Sequence, residues 1–119
     1  MSNLFQLGSF VLAGGDKSDF KIDCDALTWA DIETLAYLLA CRLPAFTAVE
    51  GVPRGGLTLA EAMRKYSMPE GDRLLIVDDV YTTGISIERH RRGRAAIGGV
   101  LFARAQPPEW IKVVFQLTK

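Results

Sequence analysis

The sequence predicts an α/β protein with a doubly wound, mostly parallel sheet and a small β-hairpin at its N-terminus. Three observations lead there. Leu74-Leu75-Ile76-Val77 is an unbroken apolar run followed at once by two acids, the pattern of a central parallel strand covered by helices on both faces. From Thr28 onward, short apolar runs alternate with stretches of helical periodicity, as successive βα units require. Glycine-rich turns follow two of the strand candidates, at the carboxyl ends where such sheets hold ligands.

A chain of 119 residues makes one domain with a modest core. Fourteen basic side chains balance fourteen acidic ones, so bulk charge points to neither a nucleic-acid nor a membrane partner. The first residues lack a basic stretch leading into a long apolar run, and no apolar segment reaches the length of a membrane span; a cytoplasmic protein is expected. Cys24 and Cys41 have the spacing of neither a metal knuckle nor a redox pair and read as structural thiols.

In chain order, Phe10 to Ala13 and Asp19 to Asp23 are strand candidates around the turn Gly14-Gly15-Asp16-Lys17-Ser18, giving a hairpin outside the main sheet. Thr28 is an N-cap and Asp31 a first-turn acid for a packing helix carrying Ile32, Leu35, Ala36, Leu39 and Leu43, which Pro44 ends. Phe46 to Val49 is the next strand. Arg54-Gly55-Gly56 then leads into a helical pattern over Leu57 to Tyr66. Two glycines behind an arginine let the backbone approach an anion that the guanidinium neutralises.

The strand Leu74 to Val77 runs into Asp78-Asp79 and then Thr82-Thr83-Gly84-Ile85-Ser86 ahead of a further helix. Acids there accept from sugar hydroxyls or ligate a metal, while the small hydroxyl residues and backbone N–H groups beside them suit a phosphate. After Ser86 the helix ends in Arg89-His90-Arg91-Arg92-Gly93-Arg94. Cations complement the dipole of a helix C-terminus, and His90, far from the phosphate turn, reads as a surface residue. Ile97 to Ala103 is a buried strand, and Ile111 to Leu117 alternates as a strand at or near an edge does.

Leu74 to Ser86 resembles the phosphoribosyl-pyrophosphate signature of type I phosphoribosyltransferases, in which a hydrophobic strand enters two acids and a Thr-Thr-Gly-x-Ser phosphate loop. The run from Gly8 to Asp23 resembles the N-terminal segment of orotate phosphoribosyltransferases, which builds a hood over the base. The resemblance implies residues 1–25 as a reduced hood and residues 28–119 as the core of one phosphoribosyltransferase domain. It implies Asp78 and Asp79 at the ribose, directly or through Mg²⁺ bound to them or to their waters. Thr82, Thr83, Gly84, Ile85 and Ser86 would hold the 5-phosphate. Arg54, Gly55, Gly56 and Lys17 would hold the pyrophosphate, and Phe20, Arg104 and Gln106 the base. Family members usually carry a mobile basic loop before the acid strand; here only Ser67 to Asp72 lies between Tyr66 and Arg73, with no counterpart to its catalytic Lys and His.

The expected activity is transfer of the phosphoribosyl group to a nucleobase such as orotate with release of pyrophosphate, a step of pyrimidine nucleotide biosynthesis, in a Mg²⁺-dependent homodimer. The alternative is a binding or regulatory protein that keeps the ligand site without turnover, which the missing loop favours. An unrelated doubly wound domain is the third reading.

Overall fold

The computed structural model describes residues 4–11 and 17–117, with residues 5–11 and 17–21 described through their backbone. Two strands, β1 (Phe5–Val11) and β2 (Lys17–Ile22), pair antiparallel, Leu7 opposite Phe20 and Val11 opposite Lys17. Both begin earlier than their apolar residues suggest. The turn expected at Gly14 to Ser18 lies mostly outside the described residues. Lys17 and Phe20 are thus placed by backbone register alone.

The main sheet has four parallel strands in the order β3 (Ala48–Gly51), β4 (Leu74–Tyr81), β5 (Ile97–Ala103) and β6 (Ile111–Gln116). Leu75, Ile76 and Val77 are fully buried on the inner strand β4, as their unbroken apolar run requires. Leu75 and Val77 pack with Leu39 of α1 (Trp29–Ala40) and Leu59 and Met63 of α2 (Gly56–Met63) on one face. Ile76 and Val100 pack with Ile87 of α3 (Ile85–Arg91) on the other. The sheet is therefore covered on both sides, and β6 is an edge strand.

Local signals explain most boundaries. Thr28 and Asp31 form a reciprocal capping box: the Asp31 N–H donates to Thr28 Oγ1 at 3.1 Å and the Thr28 N–H to Asp31 Oδ2 at 2.9 Å. The helix stops at Ala40, ahead of Pro44, because the backbone before a proline disfavours helix. The strand expected at Phe46 to Val49 instead spans Ala48–Gly51, where it matches Leu74 to Val77 residue for residue. Phe46 is still buried, as part of the core beneath the strand. The helix after Gly55 is shorter than its periodicity and ends at Met63 in a 3-10 turn over Arg64–Tyr66.

The connection from Tyr66 to β4 is the tight turn its residues imply. Met68 N–H donates to the Phe46 carbonyl, Gly71 N–H to the Met68 carbonyl, and the Thr47 hydroxyl bonds the Gly71 carbonyl. This turn sits where β3 and β4 begin, at the opposite end of the sheet from the acids of β4.

Candidate functional site

Parallel pairing brings the ends of β3 and β4 side by side, with Gly51 opposite Val77. Beyond Gly51 the chain turns back tightly: Val52 N–H donates to the Val77 carbonyl at 2.9 Å and Gly56 N–H to the Val52 carbonyl at 2.8 Å. The Pro53–Arg54 peptide bond in this turn is cis. Gly56 is buried against Val77 and Asp78, while the exposed Gly55 faces Asp79, whose carboxylate fills the space a Cβ would need. Glycine is thus required by close approach, since Gly55 has ordinary right-handed helical dihedrals, φ −62° and ψ −28°.

Beyond Tyr81 the second turn, Thr82-Thr83-Gly84, opens α3. Gly84 adopts φ +81° with ψ 1°, a left-handed conformation, and its Cα faces the Tyr81 ring. The Ile85 N–H makes a long contact with Thr83 Oγ1 at 3.4 Å. Asp78, Asp79 and the whole run Thr82 to Ser86 line a cleft of about 460 Å³ together with Gly55. A larger concavity of about 850 Å³ opens on the other side of Asp79 and Gly55, walled by Ile22 to Asp25, Arg54, Thr58 and Leu59. Asp79 and Gly55 belong to both and form the boundary between them.

The acid pair has no ion-pair partner among the described residues. Each carboxylate accepts from the next backbone N–H, Asp79 N–H to Asp78 Oδ1 and Val80 N–H to Asp79 Oδ1, both at 2.8 Å. Burial, then hydrogen bonding to Asp79, pushes the Asp78 carboxyl up to about 8. The charge of Asp79 beside it adds to the rise. No group of three or more His, Cys, Asp or Glu side chains clusters among the described residues. The donor set of two adjacent carboxylates fits Mg²⁺, an ion that takes one or two protein carboxylates and leaves its other positions to ligand oxygens or water.

Of the residues singled out from sequence, Asp78, Asp79, Gly55 and Thr82 to Ser86 meet in one cleft, and Arg54 faces the adjoining one. Gly56 forms the root of the turn from beneath. Arg104 follows directly on β5, its N–H donating to the Tyr81 carbonyl at 2.9 Å, so its backbone adjoins the turn that begins at Thr82. Gln106 faces a separate concavity with Arg42, Pro107 and Lys112, which the acid pair does not line.

Three residues show more than their sequence positions convey. Cys24, read as a plain structural thiol, faces Asp79; burial and then the Asp79 charge push its thiol up to about 12. Cys41 is exposed. Arg89, in the last turn of α3, reaches back toward the helix start to line the cleft with Thr82 to Ser86, and the i, i+4 relation between Ile85 and Arg89 was the available signal. His90, expected on the surface, is half-buried and hydrogen-bonded to Glu50 of β3 at 2.9 Å.

No protein-family model matches the chain. It is 27% identical over 124 residues to the orotate phosphoribosyltransferase of Methanothermobacter thermautotrophicus, covering 83% of this chain and 69% of that protein. Its fold superposes on the crystal structure of orotate phosphoribosyltransferase from Aeropyrum pernix with a TM-score of 0.73 at 26% identity, covering 96% of this chain and 89% of the other. A phosphoribosyltransferase from Corynebacterium diphtheriae shares the fold at a TM-score of 0.60 and 17% identity, over 85% of this chain and 84% of that one. Fold and sequence together define a type I phosphoribosyltransferase-like protein. Within that class its likeness runs to the orotate phosphoribosyltransferases.

Proposed function

We propose that the chain binds phosphoribosyl pyrophosphate and transfers its phosphoribosyl group to orotate or a similar nucleobase. The observation that carries this reading is the contact between Gly55 and Asp79, which brings the Arg54-Gly55-Gly56 turn and the Thr82 to Ser86 turn to either side of an acid pair. The 5-phosphate would rest on Thr82 to Ser86 and the pyrophosphate at Arg54-Gly55-Gly56, with Asp78 and Asp79 at the ribose between them. The base would extend toward the hairpin, with Phe20 and Arg104 the candidates for holding it and Lys17 a candidate for the pyrophosphate.

In the reaction a bond forms between a base nitrogen and the anomeric carbon while the bond from that carbon to the pyrophosphate oxygen breaks. The leaving group takes the electron pair and the base gives up its proton to solvent. Positive charge grows on the ribose ring, which the carboxylates of Asp78 and Asp79 stabilise electrostatically. Negative charge grows on the leaving group, which Arg54 and the turn amides offset. Bound Mg²⁺, held by Asp78 and Asp79, would neutralise phosphate charge and draw those carboxylates into their ionised form.

A second reading, a ligand-binding protein without turnover, is favoured by one specific observation. The turn in place of a mobile basic loop lies at the far end of the sheet and is tied down by hydrogen bonds to Phe46 and Thr47. It has no path to the acids, so water exclusion and extra cations must come from elsewhere, for example from a second copy of the chain in a homodimer. Incubation with Mg²⁺, phosphoribosyl pyrophosphate and a panel of bases separates the readings. Pyrophosphate release with orotate supports the transferase, thermal stabilisation without release supports the binding protein, and neither effect at millimolar ligand sinks both.

A further inference from the structure

The sequence places Glu50 one residue before the pyrophosphate-side turn and His90 and Arg94 at the far end of the helix that follows the phosphate turn. The structure joins them. Arg94 holds Glu50 with both terminal nitrogens, NH1 donating to Oε2 at 3.0 Å and NH2 to Oε1 at 2.9 Å. His90 Nε2 adds a third contact to Oε1 at 2.9 Å. Arg94 also donates to the carbonyls of Arg91 and His90, both at 2.9 Å, so it closes the C-terminus of α3 while gripping β3.

This arrangement has mechanical consequences. A helix of seven residues is far below the ~12–15 that hold helical form unaided, so its position depends on what it is fastened to. Ile87 buries one side against the sheet, and Arg91 stacks 4.4 Å above the Trp110 ring toward β6. The Glu50 contacts supply the fastening toward β3. Because Gly51 begins the turn carrying Arg54 and Gly55, Glu50 stands at the root of one anion-holding turn while it grips the helix that carries the other.

We infer that Glu50 is a positioning residue that fixes the separation of the two turns, and so governs the binding of a ligand with an anionic group at each end. The inference rests on the two-turn reading of the site. Bidentate guanidinium–carboxylate pairing is directional, which suits it to holding a spacing. Even half-exposed, the cluster draws the Glu50 carboxyl below the usual carboxylate range, the Arg94 hydrogen bonds acting first and opposed by desolvation, with His90 adding to the lowering.

The test compares a two-ended ligand with a one-ended one. Calorimetric affinities for phosphoribosyl pyrophosphate with Mg²⁺ and for ribose 5-phosphate are measured on wild type, Glu50→Gln, Arg94→Gln and the double variant. Loss of spacing should weaken the two-ended ligand about tenfold and the one-ended ligand less than about twofold, since only the former needs both turns at once. The double variant should be no worse than either single one, because all three remove the same fastening. Glu61→Gln, which breaks an exposed pair with Arg64 on α2, should change neither affinity. Equal weakening of both ligands, or none, overturns the role assigned to Glu50. Binding of neither ligand by the wild type overturns the two-turn reading itself and this inference with it, and the wild-type measurement alone distinguishes that result. Should Glu50→Gln fail to fold, Arg94→Gln and His90→Gln carry the same comparison.

Discussion

The Cα of Gly55 packs against the carboxylate of Asp79, leaving no room for a Cβ between them. Because residue 55 has dihedrals that alanine adopts freely, a Gly55→Ala protein would be strained at the carboxylate and not in its backbone. The acid should swing aside. We expect phosphoribosyl pyrophosphate affinity to fall by about tenfold or more, equivalent to ~1.4 kcal/mol. Melting temperature should move by only a few degrees, as for about 1 kcal/mol in a domain of this size. Unchanged affinity, read by calorimetry, would remove Asp79 from the site.

Asp78 makes stability depend on pH with a definite sign. Its folded-state value is raised from 3.8 to about 8, so the folded chain holds a proton that the unfolded chain releases. Stability from this group is complete below its unfolded value near 3.8 and is lost as pH rises through about 8. Asp78→Asn removes that loss. In chelator-treated protein, the melting-temperature advantage of the variant over wild type should grow from acid pH toward about 8 and then level off. A difference that is flat with pH, followed by differential scanning calorimetry, would contradict the raised value of Asp78.

Arg89 lines the cleft of Thr82 to Ser86 and has no carboxylate partner among the described residues, whereas Arg91 and Arg94 are engaged with Glu88 and Glu50. Arg89→Gln should weaken ribose 5-phosphate binding about three- to tenfold and flatten its salt dependence, as losing one exposed cation from an anion site does. Arg92→Gln, on an exposed residue at the helix end, serves as the control and should leave both unchanged. Titration at two salt concentrations decides between them.

Gly84 combines φ +81° with a Tyr81 hydroxyl 2.6 Å from where a Cβ would lie. Gly84→Ala therefore meets both a conformational penalty and a clash, and should cost ~1–3 kcal/mol of stability while displacing the Thr82-Thr83 turn. Urea denaturation gives the first quantity and ribose 5-phosphate titration the second. A variant as stable as wild type would show that the turn relaxes without cost.

The sequence alone determined the parallel sheet, because Leu74 to Val77 has no polar residue to face water on either side, and it determined the start of α1, because Thr28 and Asp31 satisfy each other's backbone within one turn. It also marked the two turns that the structure brings together at Asp79, since glycines beside an arginine or threonines carry local chemistry that needs no distant partner. Tertiary structure decided the rest. The bounds of β3 follow from register with β4, which shifted the strand past Phe46, and the path after β5 places Gln106 in a concavity that the acids do not line. The pairing of Glu50 with His90 and Arg94 spans forty or more residues of sequence, and no local pattern encodes it. Charged side chains find such partners only once parallel strand pairing has fixed where β3 ends and α3 lies.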